Sequence, residues 1–302
     1  MHAKPKLAGI GYGLTAYVIW GCFPLYFRQL AAISPMDILS NRTAWAFVLM
    51  TVLLTLRRRW GMLRGIFRTP RQVIRLSVAA LLLGSNWLGF LWALDRHELV
   101  AASLGYFLTP LVNVLLGLFV LNEKLNRKEW LAIALAVAAV GNELFMLGEL
   151  PWISLFLAGT FGVYGLLRKQ VPIDAVSGLW LETLAMLPAC LIYAAWAAGQ
   201  GHWVFSLFSG PTTLLLIGSG IMTAVPLMAF AAATQRLDLA TIGMLMYINP
   251  TMQFVTAVFL FDEPLQSARL ASFGLIWLGL LVFSASAWQK YRQLPRSHPL
   301  AD

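Results

Sequence analysis

The sequence predicts an all-α integral membrane protein of ten transmembrane helices, arranged as two inverted five-helix repeats. Three observations predict it: an apolar composition, ten apolar runs of bilayer-crossing length, and an internal repeat at an offset of 140 residues. Hydrophobic residues make up 59% of the 302 and charged residues only 12%, where a soluble domain carries about 25% charge. The mean hydropathy is +0.73. A surface drawn from such a composition is itself apolar, and the solvent it suits is hydrocarbon.

The runs fall at 7–30, 36–56, 74–94, 99–121, 128–147, 151–168, 174–198, 211–234, 239–261 and 268–288. Each is near the about 20 residues that carry a helix across a bilayer. The first exceeds the h-region of a cleaved leader and lacks a small-residue cleavage site, so it reads as a span. Connections are short except 57–73 and 199–210, which leaves no room for a soluble domain. Orientation follows from the basic residues. With the N-terminus inside, 18 of the 22 Lys and Arg fall in inner segments, seven of them from Arg57 to Arg75, and only Arg28, Arg96 and Arg269 fall outside. That bias places both termini in the cytoplasm.

A shift of 140 aligns Arg28 with Arg168, Arg96 with Arg236, Leu99 with Leu239, Pro110 with Pro250, Phe119 with Phe259, Glu123 with Glu263 and Leu125 with Leu265. A slightly smaller local shift pairs Pro35 with Pro172, Asp37 with Asp174 and Ser40 with Ser177. The expected division is a first repeat over 1–148, a second over 149–290 and a cytoplasmic tail over 291–302. Five spans per half is odd, so the second half enters from the opposite face. This is the plan of many transporters, with substrate near the midplane between halves; a duplicated scaffold is the bland alternative.

Several function classes fall away. The net charge of +9 sits in short loops rather than in a soluble, aromatic-interleaved segment, so no nucleic-acid partner is expected. Cys22 and Cys190 lie inside spans without metal or disulfide spacing. His2, His97, His202 and His298 lie in loops or termini and face no carboxylate at triad or metal spacing. No Walker motif is present, and neither a cofactor nor a metal is expected.

Ionisable groups at membrane depth are costly and mark function by default. Arg42 lies about two turns into the second span, Glu182 equally far into the seventh, and the shift pairs them. They are expected either to bridge the repeat interface, as a structural pair or a gate, or to contact opposite poles of a zwitterionic substrate. Asn86 and Trp87 sit mid-span in the third helix. Tyr106, Thr109 and Asn113 share a face of the fourth. Gln253 is the mate of Asn113, and Tyr247 and Asn249 precede it. These residues are read as lining a central cavity, with interhelical hydrogen bonding as the alternative; Trp20 and Tyr164 are placed at its flanks. Pro110 and Pro250 are matched kinks and candidate hinges. Glu123 and Glu263 are expected to pair with loop bases or helix N-termini.

Six stretches carry a family resemblance: SNRTAW (40–45), NWLGFLWAL (86–94), ASLGYFLTPLVNVLLGLFVLNEKL (102–125), FGVYGLLRK (161–169), LETL (181–184) and YINPTMQFVTAVFLFDEPL (247–265). Together they resemble the RarD-type, chloramphenicol-sensitive permeases of the EamA branch of the drug/metabolite transporter superfamily. The resemblance implies ten helices in two inverted repeats and a plasma-membrane permease without an assigned substrate; export is implied by the family name alone. Asn41 departs from the His that the family usually places before the Arg, which argues against a proton relay there. The expected function is therefore a secondary-active or facilitative permease for a small molecule, working by alternating access, with the bilayer and a second copy of the chain as the partners considered. The competing class is a membrane-embedded enzyme acting on a lipid-like substrate. A sensor or scaffold would be expected to carry a soluble output domain.

Overall fold

A computed structural model describes residues 3–121, 126–147, 150–171, 173–201, 210–234, 236–237 and 245–293. Every regular element among them is helical: α1 (Ala3–Gly21), α2 (Phe23–Arg28), α3 (Pro35–Leu56), α4 (Trp60–Phe67), α5 (Pro70–Asp95), α6 (Leu99–Leu121), α7 (Arg127–Leu147), α8 (Trp152–Lys169), α9 (Ala175–Gly199), α10 (Gly210–Thr234), α11 (Ile248–Val255) and α12 (Ser267–Gln293). Among the described residues, seven helical segments are long and apolar enough to cross a membrane, and Leu99–Val112, Trp152–Arg168 and Ile248–Leu260 form shorter apolar helices. Large apolar side chains face outward along them: Phe145 is 87%, Phe119 75% and Phe259 72% exposed. Exposure on that scale is costly in water and is neutral against lipid, so these faces are membrane-facing.

Capping explains where the helices begin. Ser34 precedes α3 and its hydroxyl accepts from the Asp37 amide at 3.1 Å. Asp174 does the same for α9, accepting from Val176 and Ser177 at 3.1 and 3.2 Å. Each cap satisfies amides that the first turn cannot.

Three features depart from the expected spans. The stretch 57–73, expected as a loop, contains α4. Its eight residues bury Leu63 and Ile66 and leave Arg64 exposed, the pattern of a short interfacial helix. The first span is broken between α1 and α2. Pro24 has no amide to give the Trp20 carbonyl four residues back, and the break at Cys22 falls between them. The ninth run, 239–261, lies partly outside the described residues. Within them helical geometry is interrupted at Tyr247, next to the Met246 carbonyl that Pro250 cannot bond. α11 then widens into a π-helical turn over Thr256–Leu260.

The helices pack in definite pairs. α1 lies against α10 and α11, α3 against α9 and α10, α5 against α8 and α9, α6 against α8 and α11, and α7 against α12. Close approaches use glycine. A Cβ on Gly220 would sit 2.5 Å from Trp45 Cβ, and one on Gly105 would sit 2.7 Å from the Ser154 carbonyl oxygen, so α3–α10 and α6–α8 pack backbone to backbone.

Candidate functional site

Arg42 is 1% exposed. Its Nε donates to Thr223 Oγ1 of α10 at 3.0 Å. The guanidinium carbon lies 4.2 Å from the Trp87 ring centroid, 5.1 Å from Phe27 and 5.5 Å from Phe23. Three ring faces within about 6 Å give cation–π attraction, and each is worth more once water is excluded. They offset part of the roughly 2.5–3.5 kcal/mol that a mid-span Arg costs on insertion scales. Among the described residues no carboxylate lies within ion-pair distance of Arg42, and its Nη1 has no hydrogen-bond partner.

Beside it, Asn86 ties three helices together. Its Nδ2 donates to the Leu157 carbonyl and to Thr160 Oγ1, both at 2.9 Å, and its Oδ1 accepts from Tyr106 Oη at 3.1 Å. The Tyr106 hydroxyl is also within electrostatic range of Arg42. Aromatic contacts run on from Tyr106 to Phe161, centroids 6.2 Å apart, and from Phe161 to Tyr164 at 5.8 Å. A cavity of about 210 Å³ adjoins this region; its lining includes Phe27, Arg28, Ile38, Leu91, His97 and Phe261. Phe27 is common to that cavity and to the ring faces about the guanidinium.

Glu182, also 1% exposed, is paired with Arg168 and not with Arg42. Glu182 Oε1 is 3.1 Å from Arg168 Nε, an ion pair without hydrogen-bond alignment, and Oε2 accepts from Tyr164 Oη at 3.4 Å. Gly178 makes room for this pair: a Cβ there would lie 2.0 Å from Arg168 Nη2. The register explains the separation from Arg42. α3 and α9 are antiparallel, with Trp180 Nε1 donating to Thr51 Oγ1 at 2.8 Å at one end and the Ser34 and Tyr193 hydroxyls 3.4 Å apart at the other. On that register Glu182 and Arg42 are offset by about five residues, roughly 7 Å along the axis at 1.5 Å per residue.

Gln253 belongs to another network. Its Nε2 donates to Asn249 Oδ1 at 2.8 Å and to the Trp20 carbonyl at 3.4 Å, the same carbonyl that Pro24 leaves free. Trp20 stacks with Tyr17 and Phe230, centroids 5.5 and 5.7 Å apart. The structure thus brings Arg42, Asn86, Trp87 and Tyr106 together, joins Tyr164 to Glu182, and sets Gln253 with Trp20 and Asn249. The Tyr247 hydroxyl is buried next to Ser284 of α12. The Asn113 side chain and the whole of Glu123 lie outside the described residues. Pro110 lies within an uninterrupted α6, whereas Pro250 sits in the first turn of α11 after the break at Tyr247, so the matched prolines are not alike. Glu263 reaches a helix N-terminus: its Oε1 and Oε2 accept from the Leu99 and Val100 amides at 3.0 and 2.9 Å.

Thr223, Phe23 and Phe27 were not among the sequence candidates, because nothing local marks an ordinary threonine or phenylalanine as the partner of a distant arginine. Arg168 carried a signal, being a basic residue just across the α8–α9 turn from a buried acid.

An all-helical, membrane-embedded bundle with a desolvated polar centre is the class of molecule so defined. Residues 7–141 match the EamA-like transporter family. A Vibrio cholerae chain named as an uncharacterized transporter is 44% identical over 91% of each chain. The protein RarD of Escherichia coli K12 is 40% identical over 95% of this chain and 97% of its own. A solved crystal structure, 19% identical, superposes with a TM-score of 0.59 over 99% of this chain and 100% of that one; at that identity it bears on the fold alone. The chain belongs to the RarD-type branch of the EamA-like transporter family. It is a multi-pass protein of the bacterial inner membrane.

Proposed function

We propose that the chain is a secondary permease for a small organic molecule, working by alternating access between two five-helix repeats, 1–148 and 149–290, with both termini cytoplasmic. The helix pairing supports the repeats. Under the 140-residue shift α1 with α2, α3, α5, α6 and α7 stand for α8, α9, α10, α11 and α12. The contact α1–α10 then exchanges with α5–α8, α3–α10 with α5–α9, and α6–α8 with α1–α11, while α3–α9, α6–α11 and α7–α12 map onto themselves. Exchange of that kind is what interconverts an inward-open and an outward-open cavity.

The observation that carries the functional reading is Arg42, a desolvated cation of the first half bonded to Thr223 of the second. A conformational change that separates the halves must break or remake that bond. In this reading Arg42, Asn86, Trp87 and Tyr106 face the substrate; Arg168, Glu182 and Tyr164 form a latch toward the cytoplasmic end; and the turns at Pro110 and Pro250 flex. Relatives named as transporters favour a permease over a membrane-embedded enzyme. Metabolite profiling of cells and medium should separate the two, comparing a deletion strain, an overexpressor and an overexpressor of Arg42→Gln at equal protein level. A compound that changes sides with expression, and no longer does so with Arg42→Gln, is the expected result. A compound chemically altered rather than redistributed, or redistribution indifferent to Arg42, would refute the permease reading.

A further inference from the structure

We infer that the molecule received beside Arg42 is an organic monoanion whose carboxylate or equivalent group pairs with the guanidinium Nη1; this rests on the permease reading above. The argument is one of unbalanced charge. The guanidinium is fully buried, and a cation in a low-dielectric interior is normally matched by an acid. The buried carboxylate nearby is already committed: Glu182 is held by Arg168 and Tyr164. Asp37 is engaged at the start of α3, where Ser34 Oγ donates to its Oδ2 at 2.7 Å. What Arg42 has instead are three ring faces and one hydroxyl, which hold the cation without neutralising it. Nε is used by Thr223, and Nη1 is buried and unpartnered.

The surroundings narrow the class. Among the described residues, the groups about the guanidinium are three aromatic rings, a threonine and the Tyr106 hydroxyl, with no second cation among the contacts that hold it. One cation matches one negative charge, whereas a phosphate dianion calls for a second base or a bidentate cradle. The rings of Phe23, Phe27 and Trp87 require that the rest of the ligand be apolar or aromatic. A cavity also adjoins the site. The neighbouring cavity reaches Phe27, has Arg28 in its lining, and has Ile38 one turn from Arg42 on the same face of α3. Phe27 lines that cavity and its ring centroid lies 5.1 Å from the guanidinium carbon, so the cavity and the cation share one wall.

The test uses the purified full chain in lipid nanodiscs and a matched trio of probes: phenylacetate, phenylacetamide and phenethylamine. A ligand that binds only the folded state raises the melting temperature. Phenylacetate at millimolar concentration is expected to stabilise the protein more than either of the others. Its affinity should fall at least about tenfold in Arg42→Gln, the loss of roughly one charge-assisted hydrogen bond, and fall less in Arg42→Lys. Arg42→Gln removes a buried charge, so its own melting temperature serves as the folding control. Should that variant not fold, the ranking of the three probes on the unmodified chain decides alone. Equal stabilisation by the amide or the amine, no stabilisation by phenylacetate, or undiminished binding in a folded Arg42→Gln would overturn the anion assignment. Proteoliposome flux keeps the two readings apart. Transport of a cation or neutral compound would sink the charge assignment and leave the permease standing. Arg42-dependent binding of phenylacetate without flux of any bound anion would do the reverse.

Discussion

Removing Arg168 should strand the Glu182 carboxylate in the bundle with only the Tyr164 hydroxyl beside it. Losing one member of a buried pair typically costs about 3–5 kcal/mol. Arg168 is 21% exposed at its side chain, so the low end of that range is expected for Arg168→Ala, read as a lower melting temperature in detergent. Glu182→Gln in the Arg168→Ala background should restore most of the loss, because the charge that needed a partner is gone. No recovery would mean that Arg168 contributes packing rather than charge. Gly178→Ala should act in the same direction and more weakly, since its Cβ collides with the movable end of the Arg168 side chain. A second residue-level coupling joins Pro24 and Gln253. Pro24 frees the Trp20 carbonyl, and Gln253 reaches it from α11. Pro24→Ala returns an amide to that carbonyl, so Gln253→Ala should cost less in the Pro24→Ala background than alone. The difference should be near the about 0.6 kcal/mol typical of interhelical bonds in membranes. Additive effects in the double-mutant cycle would remove the link.

The end of α11 is built to deliver one side chain. The π turn over Thr256–Leu260 and the left-handed backbone at Asp262, φ 51°, turn the chain so that Glu263 points inward at the first amides of α6. A carboxylate there satisfies two orphan donors and meets the positive end of the helix dipole. Glu263→Ala should lower stability by about 1–2 kcal/mol, the cost of a lost N-cap. Glu263→Gln, which keeps one acceptor, should fall between, in thermal denaturation of the purified chain. A silent Glu263→Ala would show that the α6 amides find water instead. The carboxylate belongs to the second half and the helix to the first, so the contact also joins the halves on the face where Arg28 stacks on Phe261, its guanidinium carbon 3.9 Å from the ring centroid. Helix α4 is the element least readable beforehand. A search for 20-residue apolar runs passes over eight residues whose apolar positions face only one side.

At the level of the complete bundle, the distribution of basic residues predicts which face is which. Reporter fusions at Gly65, within α4, should read as cytoplasmic and fusions at Gly201, after α9, as periplasmic. Reversal at either position would break the inverted-repeat plan. The sequence by itself determined the membrane setting, the helical class, the family, and the residues that carry polar groups into the hydrocarbon. Each of these depends on summed composition or on local order: about 20 apolar residues need no tertiary context to prefer a bilayer, and a charge within such a run is costly wherever the helix packs. Partnership was decided only by the tertiary structure. The 140-residue shift pairs Arg42 with Glu182 in the sequence, yet Glu182 takes Arg168 across the α8–α9 turn and Arg42 takes Thr223 and three rings. Asn86 and Gln253, alike as mid-span amides, enter separate networks. A hydrogen bond or ion pair forms only when two groups arrive within about 3 Å at workable angles. Between helices that distance is set by register, rotation and the small residues that admit close approach, none of which a one-dimensional order of residues records.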